Sequence, residues 1–537
     1  MIGQILGSSS RGRTPHYIIP ALVNPKAPDD ASSTPPLPRR RAGLLLHPTS
    51  LPGRFPIGDL GPEADRFLSW AARAGQSSWQ LLPLVPPGRM SSPYDGRSAF
   101  AGSPLLISPE RMAEEGWLTP AELRNAPRGG AQVDYAKAAQ WKERLLRIAW
   151  QNFDHRASAT SRTELHAFIE HPEQVPWLED WALFAALDRK HRGTPWLQWD
   201  NELARRRPGA LARARRELRD DVAFHRFEQF VFFRQWERIR QRAAELDVEI
   251  IGDLPIYVSL DGADVWAHSR LFQLDPVGRP KAVSGVPPDY FSRNGQRWGN
   301  PVYRWERMRD DGYTWWVARM RLNLKCADRV RVDHFRGFAS YWSVPASQKT
   351  AVRGEWCTGP GLDVFRAMEG ALGPLPILAE DLGVITPDVE RLLEATGYPG
   401  MRVLQFAFGT HDSHHLPHRH VANSVAYTGT HDNDTTRGWF LSAPEAEQHS
   451  CVRYLGHAPP DIAWELLRLL WGSVANWAIA PLPDFFSLGS QGRMNFPGRP
   501  QGNWSWRFSE SQLAPELQAR ILELNRTYGR LQAEIPG

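Results

Sequence analysis

"RVRVDHFRGF", Arg329 to Phe338, is the stretch on which the reading of the chain turns. Val330 and Val332 are β-branched and make a short strand, which then gives way to Asp333, His334 and Arg336. Alone, the role of this carboxylate between Arg331 and Arg336 is undecided, because an aspartate at a strand end commonly serves a turn or a helix cap. The question is settled by whether other strands end the same way.

Working outward, seven further short apolar runs stop in polar residues. They are "GLLLHPTSLPG" from Gly43, "SSWQLLPL" at 77–84, "VEIIGDLPIYV" at 248–258, "LPILAEDLG" at 375–383, "MRVLQFAF" at 401–408, "NSVAYTGTHDND" at 423–434 and "VANWAIAPLPD" at 474–484. The runs read as continuous, as expected of strands buried on both faces. Helical patterns fall between several of them. "GPEADRFLSWAARAG" puts Ala64, Phe67, Leu68 and Ala71 on one face and closes on Gly75. "TPDVERLLEATG" has Thr386 as cap, Pro387 at the first helical position and Gly397 as terminator. Eight strands alternating with helices predict an α/β fold, a (β/α)8 TIM barrel with large insertions in its βα loops. An open doubly wound sheet is the alternative, but no GxGxxG or GxxxxGK[ST] follows any strand.

The barrel is expected over 41–537, with inserted subdomains at about 95–245 and 259–315, both at the C-terminal ends of strands. Strands six and seven are joined too closely for a full helix. Residues 1–40, rich in Pro, Ser and Arg, are expected to be a disordered extension. Of 537 residues 42% are hydrophobic, enough for a large core. The net charge is only +5, and its densest basic run, "ARRRPGALARARRELRDD", reads as a solvated helical face; no nucleic-acid partner is expected. Nor is a membrane partner, since no apolar run is long enough to span. Three scattered cysteines form no CxxC pair and suit a reducing cytoplasm. "HDSHHLPHRH" at 411–420 has two His pairs at helical spacing, but Pro417 interrupts and no HExxH is present, so no metal is expected.

In a barrel, Asp253, Asp333, Glu380 and Asp432 close strands three, four, five and seven and converge on one open face. Several acids there, without a metal cluster, point to carboxylate chemistry. Glycosyl transfer needs that arrangement: one carboxylate to attack the anomeric carbon and one carboxylic acid to protonate the departing oxygen.

From about Arg41 onward the sequence resembles the 4-α-glucanotransferases of the amylomaltase/disproportionating-enzyme family, relatives of the α-amylase barrels. The resemblance rests on nine ordered stretches: "GLLLHPTSLPG", "WQLLPLVP", "SPYDGRSAFAG", "GDLPIYV", "GVPPDYFSRNGQRWGNPVY", "RVDHFRGF", "AEDLG", "YTGTHDNDT" and "RMNFPG…GNWSWR". It implies α-1,4-glucans and maltooligosaccharides as donor and acceptor, and no cofactor. It further implies Asp333 as nucleophile held by Arg331, Glu380 as acid/base, Asp432 with His431 on the sugar hydroxyls, and Tyr94 and Asp253 near the substrate. Tyr290, Phe291 and Trp298 read as aromatic cover that stacks on sugars and displaces water. Where Gln-Asp is expected after strand eight, this chain has Pro483-Asp484.

The chemistry sets three further expectations. Arg331, two positions from Asp333 on the same side of its strand, should lower that carboxyl's pKa. Glu380 should be raised so as to hold a proton. The two carboxyls should lie about 5–5.5 Å apart for a retaining reaction. A hydrolase on the same barrel and a non-catalytic glucan-binding protein are the competing readings.

Overall fold

The computed structural model describes residues 40–531 apart from 89, 289–291 and 500. Tyr290, Phe291 and all of the expected extension except Arg40 therefore lie outside the described residues. Eight parallel strands close into a barrel: β1 (Arg41–Leu45), β2 (Ser78–Gln80), β3 (Glu249–Pro255), β4 (Arg329–Asp333), β5 (Ile377–Ala379), β6 (Gly400–Val403), β7 (Ser424–Tyr427) and β8 (Trp477–Pro481). Each pairs with the next in chain order, and β8 returns to β1 through the register Arg41↔Trp477. Each of the eight apolar runs supplies one strand.

Both helices read from their caps are present. The first, Pro62–Arg73, is followed by Gly75 at φ +72°. The second, Pro387–Thr396, stops at Gly397 with φ +66°, a left-handed conformation that glycine adopts without penalty. Thr386 precedes this helix, but its side chain makes no capping hydrogen bond. Between β6 and β7 the described chain makes only two short 3-10 turns, Leu404–Phe406 and Pro417–Arg419.

The barrel interior departs from the expectation of continuous apolar strands. In β4 the side chains alternate. Val330 and Val332 are buried outward with Met320 and Phe365 of the surrounding helices. Arg329, Arg331 and Asp333 face inward, where each charge meets a partner. At the N-terminal end Arg329 Nε donates to Glu249 Oε1 at 2.6 Å, Trp477 Nε1 donates to Oε2 at 3.1 Å, and Arg41 Nε stands 3.8 Å from it. Burying ions is costly unless they are paired and hydrogen-bonded, and this lattice meets that condition.

Between β2 and β3 lie the helices Tyr135–Arg156, Val175–Lys190 and Arg219–Glu245. The last fixes the segment that carries Tyr94. Gln229 bonds both the N–H and the carbonyl of Gly102, at 2.7 and 3.0 Å, and Gln235 does the same for Ser108, at 2.6 and 3.0 Å. A Cβ on Gly102 would lie 1.9 Å from the Phe232 ring, so glycine is required there.

The stretch "GVPPDYFSRNGQRWGNP", which carries the expected aromatic cover, contains strand residues at both ends. Ala282–Val286 pairs antiparallel with Gln296–Pro301 on one side and with Ser340–Pro345 on the other. Glu355–Thr358 completes a four-stranded sheet. Among the described residues no helix is long and apolar enough to cross a membrane.

Candidate active site

Strand register brings the first acids together. Asp253 of β3 lies opposite Arg331 of β4. Arg331 Nη1 donates to Asp253 Oδ1 and Oδ2 at 2.8 and 2.9 Å, and its Nη2 donates to Asp333 Oδ1 at 2.8 Å. One guanidinium thus spans two carboxylates, which its planar fork allows. The Tyr94 hydroxyl donates to Asp253 Oδ2 at 2.5 Å. The Asp253 side chain is 0% exposed, that of Arg331 4% and that of Asp333 26%. Of the three, Asp333 opens to the cleft. Asp253, expected near the substrate, is enclosed behind Arg331 and Tyr94 with both oxygens engaged.

On the other side β5 pairs with β4 through Val332↔Ala379. The ladder continues past both strand ends, with Glu380 N donating to Val332 O and Phe335 N to Glu380 O, each at 3.1 Å. Asp333 and Glu380 are therefore lateral neighbours on adjacent strands, which run about 4.7–4.9 Å apart. The Glu380 carboxyl is held at both oxygens, by His334 N at 2.7 Å and Leu382 N at 2.9 Å. His334, immediately after Asp333, has φ +54°, a left-handed conformation uncommon outside glycine and concentrated at functional sites. Its ring meets the edge of Trp298 at 4.8 Å, and burial, helped by Arg336, pushes its pKa down to about 3.

Burial and the Asp333 carboxylate push Glu380 up to about 8, against the opposing pull of Arg331 and two backbone N–H groups. Asp333 is also raised, not lowered as the sequence implied. Burial outweighs the Arg331 guanidinium, and Asp253 adds to the rise. Arg331 donates to Asp333 directly and acts on Glu380 only through space, so its support of the charged form falls mainly on Asp333.

The third acid stands on the loop after β7. Asp432 is half-exposed; its Oδ1 accepts from Asn495 Nδ2 at 2.6 Å and its carbonyl from Arg493 Nη2 at 2.8 Å. His431 Nε2 lies 3.5 Å from Asp432 Oδ2, and the His431 ring stacks on Tyr94 at 4.8 Å and 15°. Buried Asp484 anchors this loop: its carboxylate accepts from Thr428 Oγ1 at 2.6 Å and from Thr436 N and Oγ1 at 2.7 Å each. Asp484 is the half of the expected Gln-Asp pair that this chain keeps; the departure, Pro483, stands in the first turn of the short helix Leu482–Phe485. Asn495, Arg493 and His334 had been assigned no contact from sequence. His334 was signalled only by its place beside Asp333, and Asn495 only by the "RMNFPG" stretch.

In the His-rich segment, His415 Nδ1 accepts from Val403 N at 3.1 Å and His420 Nε2 donates to His415 O at 2.9 Å, so these rings pack the β6–β7 connection. Among the described residues no group of three or more His, Cys, Asp and Glu could hold a metal ion.

A family model described as 4-alpha-glucanotransferase matches residues 46–513. The chain belongs to the 4-alpha-glucanotransferase family. It is 46% identical to the 4-alpha-glucanotransferase of Thermus thermophilus, over 92% of this chain and 99% of that one. The Synechocystis sp. 4-alpha-glucanotransferase is 48% identical, with the same two coverages. The solved amylomaltase from Streptococcus agalactiae in complex with acarbose superposes with a TM-score of 0.89 at 35% identity, over 92% of this chain and 100% of that chain. The 4-alpha-glucanotransferase family membership and the closed barrel thus agree.

Proposed function

We propose that this 4-alpha-glucanotransferase moves α-1,4-glucan segments between maltooligosaccharide or starch- and glycogen-derived chains by a retaining double displacement. The observation that carries the reading is the pairing of Asp333 with Glu380 as same-face neighbours on adjacent strands, the placement that a close, retaining pair of carboxyls needs. In the first step an Asp333 carboxylate oxygen bonds to C1 while the C1–O bond breaks and Glu380 gives its proton to the departing oxygen. In the second, the 4-hydroxyl oxygen of an acceptor bonds to C1, Glu380 takes its proton, and the ester to Asp333 breaks.

Arg331 holds the Asp333 carboxylate, and Asp253 with Tyr94 holds Arg331. Asp432 and His431 bind hydroxyls of the sugar being transferred. Trp298, with Tyr290 and Phe291 of the same segment, excludes water so that the ester survives until an acceptor arrives. A cytoplasmic location belongs to this reading: Cys326, Cys357 and Cys451 are unpaired, which supports a reducing compartment. Recovery of the native protein in an exported fraction would overturn that part.

Incubation of the purified protein with maltotriose tests the reaction. Glucose plus a ladder of longer oligosaccharides is expected. Glucose and maltose alone would mean a hydrolase, and no turnover a binding protein. The pH dependence follows from Glu380. Its acid form protonates the leaving oxygen, and that form disappears as pH rises through about 8. Thus kcat/KM should fall on the alkaline side with a limb near pH 8, and Glu380→Gln should remove that limb along with most of the activity. A flat profile to pH 10 would assign the proton to another group.

A further inference from the structure

Among the described residues two tryptophans are exposed, Trp298 at 39% and Trp356 at 45%, and each lies on one edge strand of the four-stranded sheet. Trp298 stands at His334, beside the catalytic pair. Trp356 has had no role. One face of its ring rests on the Arg336 guanidinium, 4.1 Å from the centroid, and its edge meets Trp342 at 5.3 Å. Both supports are fixed. Arg336 is buried and bonds the Val384 carbonyl and, at 3.3 Å, Ser340 Oγ; Trp342 Nε1 donates to Ala351 O at 2.9 Å. Among the described residues the indole N–H of Trp356 has no acceptor. The ring is held in place yet presents an open face and a free donor.

The position has a direction. Arg336 is three residues past Asp333, and Val384, itself exposed, is four residues past Glu380. The platform therefore flanks the cleft on the Glu380 side, whereas Asp432 and His431 extend from β7. In the proposed reaction Glu380 serves the oxygen between the transferred sugar and the rest of the chain, so groups beyond Glu380 meet the leaving or incoming glucan.

We propose that Trp356, seated on Arg336 and braced by Trp342, is a stacking platform for glucose units of the leaving and accepting α-glucan, several units from the bond exchanged. The inference rests on the double-displacement reading above. A flat ring with one electron-rich face open and one N–H donor suits the C–H face and hydroxyls of a sugar. Its fixed supports mean that little side-chain freedom is lost on binding. Such a platform selects for chain length, because a short substrate does not reach it.

The test is a chain-length series from maltotriose to maltoheptaose with wild type, Trp356→Ala and Trp356→Phe. For Trp356→Ala the KM should rise about tenfold with maltoheptaose and by a much smaller factor with maltotriose, with kcat within about twofold throughout. Trp356→Phe should recover most of the loss, since it restores a ring. In an Asp333→Asn background, maltoheptaose should quench tryptophan fluorescence saturably, and adding Trp356→Phe should remove the part of that quench that maltotriose does not produce, leaving the part due to Trp298. A KM shift equal at every chain length, or none, overturns the platform. Transfer that persists in Asp333→Asn overturns the reading of the site instead, and the length series then judges the platform by itself.

Discussion

Asp333→Asn is expected to abolish transfer, with kcat down on the order of 10⁴–10⁶-fold, the scale seen when a catalytic nucleophile is removed. Asparagine has nearly the same shape, so β4 keeps its register. Arg331 keeps both bonds to Asp253, so the interior retains an ion pair. The variant should therefore fold with a Tm near that of wild type and still bind glucans, yet form no ester. Glu380→Gln should behave differently. It removes the proton donor but leaves the nucleophile, for a loss of about 10²–10⁴-fold on natural glucans. On an α-maltosyl fluoride, whose leaving group needs no proton, the first step of Glu380→Gln should recover and that of Asp333→Asn should not. If Asp333→Asn kept a tenth of wild-type activity on maltotriose, another group would have to be the nucleophile.

That the two variants differ follows from a pairing only half legible in the sequence. The strand that ends in Asp333 and the strand that ends in Glu380 were both readable, because short β-branched or apolar runs bounded by Gly, Pro and acids mark barrel strands. Their order and parallel closure followed from the helical patterns between them. What the chain does not spell out is lateral register. Asp253 and Arg331 are 78 positions apart, and only closure of the barrel places them opposite one another. The inward charges of β4 look unfavourable in a linear reading, since their partners come from β3 and β8.

The remaining differences share a cause: tertiary context overrode local signals. The Gly- and Pro-rich stretch at 282–301 forms strands because Ser340–Pro345, far along the chain, offers an edge to pair with. The pKa of Asp333 moved up and not down because a guanidinium two residues away is visible in sequence, whereas desolvation belongs to the fold. Asp432 was legible as an acid at a strand end. The hand that steadies it, Asn495, is 63 residues later in a loop with no spacing signal. Trp356 was one of 23 tryptophans, and only the solvent exposure of the folded chain singles it out.

Arg331→Met should be the most damaging single change outside the reacting carboxyls, and its damage should divide into two measurable parts. The guanidinium is buried and, among the described residues, is the only cation bonded to both Asp253 and Asp333. Burial works against its charge, but the two carboxylates outweigh that and raise its pKa well above the ordinary value. Removing it leaves Asp253 fully enclosed, with the Tyr94 hydroxyl as its remaining side-chain donor. Breaking a buried pair from one side costs about 3–5 kcal/mol, which denaturant unfolding would read as a lower midpoint. The second part is chemical. Arg331 lowers the pKa of Asp333 against burial, so without it that carboxyl holds its proton to higher pH and the acid limb of kcat/KM moves up. The double variant Arg331→Met with Asp253→Asn separates the two. With no uncompensated charge at Asp253 the fold should recover most of its stability, while activity stays low because Asp333 remains without its guanidinium. Arg331→Lys should lie between: it keeps a charge, but a point ammonium cannot grip two carboxylates as a planar fork does. Recovery of activity together with stability in the double variant would mean that Arg331 serves the fold alone.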